Sequence, residues 1–490
     1  MNEISKKLIS VLEKRGFVFP AFNIYGGFSG FFDLGPLGIK LKNNIINVFK
    51  QIFVENFIYK IYEIETSLIT PQIVLKASGH LDRFFDPIVE CKKCRSVFRA
   101  DHLIEEELHV NVEGKNIEEI DKIIKKNNLK CKCGGEFSDV KEFKLLFKSS
   151  SGLKEEEVYL RPETAQGIFT NFLNVFSSMR AKLPFGIMQI GKSFRNEISP
   201  RQFFIRLREF TQMEIEFFIN PKKDYNEIDF VLNKELPIYE REEQKKNSNL
   251  VKRISVEELI RKGIIPNKVF ALFLLKEIEF YKSIGIPEEK IRFRHVLEDE
   301  TPFYSKSNVD LEIKFDFGWK EVVGNAYRTD YDLKRHSDFS KKDIFVVEDG
   351  EKIVPHVIEP SFGLDRTLYA VLQNSFVEND RGWSYFLFKP KIAPIKVAIF
   401  PLVNKDGLPE LAQKIYNDLK KEFECVIEFK DSIGKRYARA DEIGIPFCIT
   451  CDYQTLEDNT VTIRNIATTN QERVFINELK ETLRKYIQQV

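Results

Sequence analysis

The sequence predicts a mixed α/β fold in two parts: an α+β domain over residues 1–389 organised on an antiparallel sheet, then a small α/β domain over 390–490. Three observations carry this reading. Residues Gly191–Glu197, a short loop and Arg208–Phe217 read as two strands of a hairpin. The segment Lys389–Lys396 places two prolines within a short run and marks a linker. Beyond it Val397–Pro401 reads as a strand, Leu408–Phe423 as a helix and Cys425–Phe429 as a strand, the alternation of an α/β domain.

Composition sets the outer limits. A chain of 490 residues has room for more than one core. Lysine plus arginine total 75 against 74 acidic residues, a net charge of +1, so no global field favours a polyanion and nucleic acid would have to be met by local patches. The N-terminus Met-Asn-Glu-Ile-Ser-Lys-Lys lacks a charged-then-apolar signal, and no apolar run is long enough to span a bilayer, which predicts a cytoplasmic protein. Seven cysteines in so long a chain do not make a disulfide scaffold.

Taken in order, residues 36–54 space Ile39, Ile46, Phe49 and Phe53 as on one helix face, with Pro36 in the first turn. Residues 88–157 read as an insertion. There Cys91/Cys94 and Cys131/Cys133 form C-x2-C and C-x-C pairs that can surround zinc tetrahedrally, with Gly134-Gly135 allowing the tight turn, or can remain four reduced thiols. Residues 221–292 read as a second, helical insertion, with a capping box at Ser255–Glu258 and an apolar helix from Phe270 to Tyr281.

The hairpin holds the densest chemistry. Period-two alternation in its second strand sets Phe210, Gln212, Glu214 and Glu216 on one face and Met213, Ile215 and Phe217 on the other, which must be core. Arg195 and Glu197 share a face of the first strand. Either this face binds a ligand, or it is a solvated hairpin with cross-strand ion pairs such as Arg195 with Glu214. Gly186–Ser193 also satisfies the phosphate-loop pattern. That match is accidental, because Ile-Met-Gln-Ile between the glycines favours a strand and no helix signal follows.

Three other stretches fit beside it: Arg161-Pro-Glu163-Thr-Ala-Gln-Gly167, Trp319 to Leu333 with Glu321 and Arg328, and Glu359-Pro-Ser361-Phe-Gly-Leu-Asp-Arg366. An arginine early in a helix opposes the macrodipole, so Arg366 suits an anionic ligand better than helix stability, with a surface salt bridge as the alternative. Together these residues suit attack of a carboxylate on the α-phosphate of ATP. That reaction needs positioning and charge neutralisation rather than a protein nucleophile.

Phe-Arg-x-Glu, a loop arginine and Glu-Phe-Thr-Gln resemble the second signature motif of class II aminoacyl-tRNA synthetases. Gly35-Pro-Leu-Gly38, Ala77-Ser-Gly-His80, Phe98–His102 and the stretches above extend the resemblance over nearly the whole chain, to the homodimeric glycyl type. It implies a class II antiparallel-sheet catalytic core and a C-terminal anticodon-binding domain. The substrates it implies are glycine, ATP with Mg²⁺ and tRNA(Gly).

The resemblance further implies that Arg195 bridges the α-phosphate and the substrate carboxylate, and that Arg195, Glu197 and Arg366 form the catalytic set. ATP would lie along Asn196, Ile205, Arg206, Leu207, Arg208 and Glu209, stack on Phe210, and meet Glu321, Val322, Gly363, Leu364 and Asp365. Glycine would lie among Glu163, Glu214 and Glu359, with Thr211, Gln212 and Met213 alongside Phe210, Ser361 and Arg328 closing the side-chain space, and Arg99 reaching back to the substrate. In the last domain Lys435-Arg436-Tyr437-Ala438-Arg439 suits phosphate and base contact, or is a solvated loop. The chain departs from the family pattern at Asn325, where isoleucine is usual, at Pro302-Phe303-Tyr304 and in the C-x-C pair. The rival readings are a non-catalytic, synthetase-like nucleic-acid-binding subunit and a synthetase for another small amino acid.

Overall fold

The computed structural model describes all residues except 1, 2, 111, 113, 114, 199, 201, 202, 379, 489 and 490. Its centre is a nine-stranded sheet. In chain order the strands are β1 (Ile61–Glu63), β2 (Phe185–Phe194), β3 (Glu209–Ile219), β4 (Glu235–Tyr239), β5 (Lys252–Ser255), β6 (Ile291–His295), β7 (Asn308–Phe315), β8 (Gly318–Thr329) and β9 (His356–Gly363). Their spatial order is β5-β4-β6-β7-β8-β9-β3-β2-β1, antiparallel except for the β1·β2 and β4·β6 pairs.

The hairpin is β2 and β3, paired from Phe185 opposite Phe218 to Phe194 opposite Glu209. The run Gly186–Ser193 is therefore strand, as its side chains require, and no phosphate loop forms. Gln189, not Arg195, stands opposite Glu214, which removes the proposed Arg195–Glu214 pair.

Alternation decides what covers each face. Met188, Met213, Ile215, Phe217 and Phe362 point into the main core, packed on helices α1 (Pro36–Lys50), α3 (Lys268–Ser283) and α4 (Leu364–Ser375). Phe185, Ile187 and Phe218 point the other way, onto helix α2 (Ala165–Ser178). Helix α2 covers only that end, and the rest of the face is the floor of a cleft.

Helix α1 begins in Gly35-Pro36-Leu37-Gly38 because the chain passes against Phe17 there. A Cβ on Gly38 would lie 1.9 Å from the Phe17 carbonyl oxygen. Its buried side is Leu41, Ile45, Val48 and Phe49, while Ile39, expected on the packed face, is exposed.

Two expectations change. Residues 221–292 are not a helical appendage: α3 forms as expected, but β4, β5 and β6 extend the central sheet, because Leu236, Ile238, Ile254 and Phe293 join the main core. The two-proline segment is a packed joint. Ile392 and Ala393 are buried in the main core, their carbonyls accept from Asn44 of α1, and the Lys396 ammonium donates to the carbonyls of Pro390 and Lys391.

The last domain is a five-stranded sheet of β10 (Val397–Pro401), β11 (Cys425–Ile427), β12 (Phe447–Cys451), β13 (Thr460–Asn465) and β14 (Gln471–Phe475), in the order β11-β10-β12-β13-β14. Its first three strands are parallel, with helices α5 (Leu408–Leu419) and α6 (Ile433–Glu442) as connections.

Candidate active site

Over the open half of the sheet lies a cleft of about 320 Å³, lined by the hairpin loop, β3, β8, β9 and the start of α4. Register builds it in rows across the floor. Gln189, Glu214, Ser361 and Gly324 stand side by side on β2, β3, β9 and β8. Glu359, two residues along β9, stands beside Ala326.

One end of the cleft is a nest of carboxyls. Glu214 accepts from the backbone N–H of Thr164 (2.8 Å) and its hydroxyl, from Ser361 Oγ (2.6 Å) and from Gln212 Nε2 (2.8 Å). Glu163 faces His80 Nε2 at 3.3 Å and accepts from Gln166 Nε2 at 2.9 Å. Arg328 Nη1 donates to both oxygens of Glu359 (3.0 and 2.9 Å), and its Nε and Nη2 donate to Asp332. Tyr304 lines the cleft and lies face-on to the Arg328 guanidinium, 3.9 Å from ring centroid to Cζ.

Burial raises the Glu214 carboxyl, and the neighbouring Glu163 adds to the effect. Burial opposes ionisation at Glu163 too, but His80 and Arg328 overcome it and hold that carboxyl low. Glu359 is pushed up to about 8 by burial, against Arg328. A pocket of buried acids with few cations is one that a substrate ammonium would complete.

The other end carries arginines. Arg195 donates from Nε to the Pro162 carbonyl, and its guanidinium lies 5.3 Å from the Phe210 ring centroid. Arg206 stands 3.7 Å from Glu197. Arg366, in the first turn of α4, donates to the carbonyls of Ile205 and Glu321 and faces the Glu321 carboxylate at 3.4 Å. Glu300 and Asp310 also line this end. Burial and the charge of Glu321 push the Asp310 carboxyl well above its ordinary range, as where a cation belongs between acids.

The structure thus brings together Glu163, Arg195, Glu197, Ile205, Arg206, Leu207, Phe210, Gln212, Glu214, Glu321, Glu359, Ser361, Gly363, Asp365 and Arg366. Several expected residues lie elsewhere. Met213, Val322 and Leu364 face the main core, as alternation on β3 and the inward side of α4 demand. Thr211 borders the cleft, but its hydroxyl accepts from the buried Lys42 of α1 at 2.7 Å on the opposite face. Arg208 donates to the carbonyls of Glu197 and Ser29, and Glu209 pairs with Lys192.

The backbone N–H of Asn196 donates to the Leu145 carbonyl, and Asn196 does not line the cleft. Arg328 sits behind Tyr304 as a buried support rather than as a wall. Arg99 lines a neighbouring crevice between the insertion and the cleft, held by Asp86 (3.1 Å) and Asp101. Asn325 departs from the family harmlessly for this site, because it points to the core side and donates to Glu277 of α3 at 3.1 Å. Sequence reasoning gave no role to His80, Thr164, Asp310 or Tyr304. His80, Thr164 and Tyr304 stood in quoted stretches without a role and Asp310 stood in none, and all four reach the site through contacts remote in sequence.

The cysteines of the insertion meet in a module whose core includes Val89, Ile104, Ile120, Ile124 and Phe137. All four Sγ atoms lie within 4.8 Å of one another, with Cys91–Cys133 at 3.5 Å and Cys94–Cys131 at 3.7 Å. Tetrahedral zinc–thiolate bonds of about 2.3 Å set sulfurs roughly 3.8 Å apart, so the donor set fits zinc. Gly134 turns this loop at φ +79°. The C-x-C spacing is therefore no obstacle.

The basic-aromatic cluster of the last domain is largely structural. Arg436 is buried and donates to the carbonyls of Pro401, Leu402 and Glu428. Tyr437 is hydrogen-bonded to Thr450, and Arg439 is paired with Glu428 and Asp431. Lys435 remains exposed.

Comparison with known proteins agrees with this architecture. Residues 147–375 match the tRNA synthetase class II core domain (G, H, P, S and T), and residues 396–486 match the anticodon binding domain. A solved prolyl-tRNA synthetase from Cryptosporidium parvum shares the fold at a TM-score of 0.59 and 14% identity, covering 99% of this chain and 75% of that one. The glycine–tRNA ligase of Pyrococcus furiosus is 43% identical with 98% of each chain covered, and that of Methanocaldococcus jannaschii is 42% identical with 100% of each covered. With likeness of that extent, over a class II sheet whose cleft ends in glutamates, the chain belongs to the glycine–tRNA ligase family.

Proposed function

We propose that this chain activates glycine with ATP and transfers it to the 3′ end of tRNA(Gly). A glycine carboxylate oxygen attacks the α-phosphorus, pyrophosphate leaves, and a terminal hydroxyl of the tRNA then displaces AMP from glycyl-adenylate. The observation that carries the reading is the convergence of Glu163, Glu214 and Glu359 at one end of a cleft whose other end holds Arg195, Arg206 and Arg366. Carboxylates hold the ammonium and leave no apolar room for a β-carbon. A methylene is worth only about 1–3 kcal/mol in a pocket, so exclusion must supply the specificity.

Arg195 stabilises charge at the α-phosphate, Phe210 stacks on adenine, and Arg206 and Arg366 hold the outer phosphates. Mg²⁺, held by Glu321 with Asp310 and Glu300, would neutralise phosphate charge. The test is ATP–pyrophosphate exchange across amino acids. Exchange with glycine and little with alanine or serine is expected, and equal exchange with alanine would sink the reading.

The same proposal includes catalytic residues 1–389 and an anticodon-reading domain from 390, one structural zinc on Cys91, Cys94, Cys131 and Cys133, and residence in the cytoplasm. Among the described residues no helix is long and apolar enough to cross a membrane. It also includes a homodimer. Phe22, Ile24, Tyr25 and Phe28 are exposed together before α1, an apolar surface of the kind a second copy covers. The presence of Arg195, Glu197, Arg206, Phe210 and Arg366 in one cleft disfavours a non-catalytic scaffold.

A further inference from the structure

Glu216 has no part in the reaction as described, yet it lies directly behind the glycine end of the cleft. Its side chain is fully buried, and neither carboxyl oxygen has a hydrogen-bond partner among the described residues. Every other acid of the nest has partners: Glu163 has Gln166 and His80, Glu214 has Thr164 and Ser361, and Glu359 and Asp332 share Arg328.

The register places it. Glu214 pairs with Ser361 and Phe217 with Ile358 on either side, which sets Glu216 opposite Glu359 on the same face. Cβ atoms of residues so paired are roughly 4.5–5.5 Å apart. On the other flank β2 offers only the neutral Ile187. The charged groups around Glu216 are Glu359 of β9, Glu214 of its own strand, Arg328 of β8 and Asp332 of the helix Tyr331–Ser340. Two facing buried carboxyls, only one of which a guanidinium contacts, cannot both ionise cheaply. Arg328 contacts both oxygens of Glu359 and neither of Glu216, so the carboxyl that carries a proton is Glu216.

We propose that Glu216 is a positioning residue that stores one proton behind the glycine pocket and releases it when the substrate ammonium settles among Glu163, Glu214 and Glu359. The proton leaves to solvent, so the arriving positive charge is matched by a negative one uncovered beneath it. Burial first, and Glu359 second, push the Glu216 carboxyl well above the ordinary carboxylate range, in keeping with a stored proton. Glycine would then bind more tightly as pH rises toward the value at which Glu216 ionises.

This rests on the assignment of glycine to the glutamate end. The experiment is calorimetric titration of glycine into the full-length protein in buffers of different ionisation enthalpy, which reads protons exchanged per glycine bound. The wild type is expected to release protons and Glu216→Gln to lose that release, and the fall of glycine KM with pH in pyrophosphate exchange should flatten in the variant. Glu216→Asp, still titratable, should keep the release at a shifted pH midpoint, and this decides the matter if Glu216→Gln does not fold.

No release from the wild type, equal release from Glu216→Gln, or an unshifted midpoint in Glu216→Asp overturns the proposal while leaving the pocket assignment intact. Unchanged glycine KM in Glu163→Gln and Glu214→Gln overturns the assignment itself.

Discussion

The hydroxyl of Ser361 donates to Oε1 of Glu214 at 2.6 Å, from the neighbouring strand and from the same row of the sheet. With the Thr164 N–H on the other oxygen, the carboxylate is fixed before any substrate arrives. Glu214→Gln places an amide where those donors need an acceptor and removes a charge from the ammonium site. A hydrogen bond to a charged group is worth about 1.5–3 kcal/mol. Glycine KM should therefore rise about 10–100-fold while ATP KM moves little, measured by pyrophosphate exchange with each substrate varied.

Arg195 and Lys192 are close in sequence and differ in role. Arg195 lines the cleft against Phe210, whereas Lys192 is solvent-facing and paired with Glu209 at 3.1 Å. Arg195→Ala should lower the turnover of exchange by about two to three orders of magnitude, the usual loss when a preorganised donor to developing charge is removed. Lys192→Ala should stay near wild type. If Lys192→Ala instead abolished ATP binding, the phosphate-loop reading would return.

Elemental analysis should find one zinc per chain, held in the insertion by four thiolates. Chelation should loosen the module around Val89, Ile104 and Ile124, seen as faster hydrogen exchange there, and leave the central sheet protected. Full zinc content in the Cys131→Ser/Cys133→Ser double variant would show that these cysteines are not the ligands.

Arg436 and Lys435 should separate stability from tRNA binding. Arg436→Ala leaves the carbonyls of Pro401, Leu402 and Glu428 without their donor, at a cost of about 1–3 kcal/mol for each buried group left unpaired. Thermal unfolding of the last domain should fall by several degrees. Lys435→Ala should keep that midpoint and weaken tRNA binding, with a smaller salt dependence. A fall in tRNA affinity for Arg436→Ala at unchanged stability would contradict the structural role.

Glu277, buried in α3, accepts from Asn325 through one oxygen, and its other oxygen has no partner among the described residues. Burial pushes its carboxyl well above the ordinary range. The folded protein thus holds this proton more tightly than the unfolded chain, and stability falls as pH rises from about 4.3, the free glutamate value, toward the folded one. Glu277→Gln keeps the Asn325 contact without the titration. Its gain in thermal midpoint should be larger at pH 8 than at pH 5, and a pH-independent difference would refute the assignment.

What could be read along the chain was what local periodicity and short motifs encode. The faces of β3 followed from period-two alternation, because Phe210, Gln212 and Glu214 must part from Met213, Ile215 and Phe217 whatever they pack on. Helix α3 and the strand–helix–strand opening of the last domain were equally local. The cysteine pairs announced a tetrahedral donor set, and the class II motifs brought arginines and glutamates into one expected site. Residue types and their spacing suffice for these.

The tertiary structure alone decided which neighbours those side chains meet. Glu216 and Glu214 share a face, but only the register with β9 puts Ser361 beside one and Glu359 beside the other. Arg436 and Arg439 looked like free cations until the turns after β10 and β11 brought carbonyls and carboxylates to them. Met213 and Arg99 were counted with the substrate, yet packing turned one to the core and salt bridges to Asp86 and Asp101 held the other in a neighbouring crevice. Local pattern determines which way a side chain points, whereas its partner is set by contacts far apart in sequence, and it is the partner that makes a charge a ligand, a lock or a proton store.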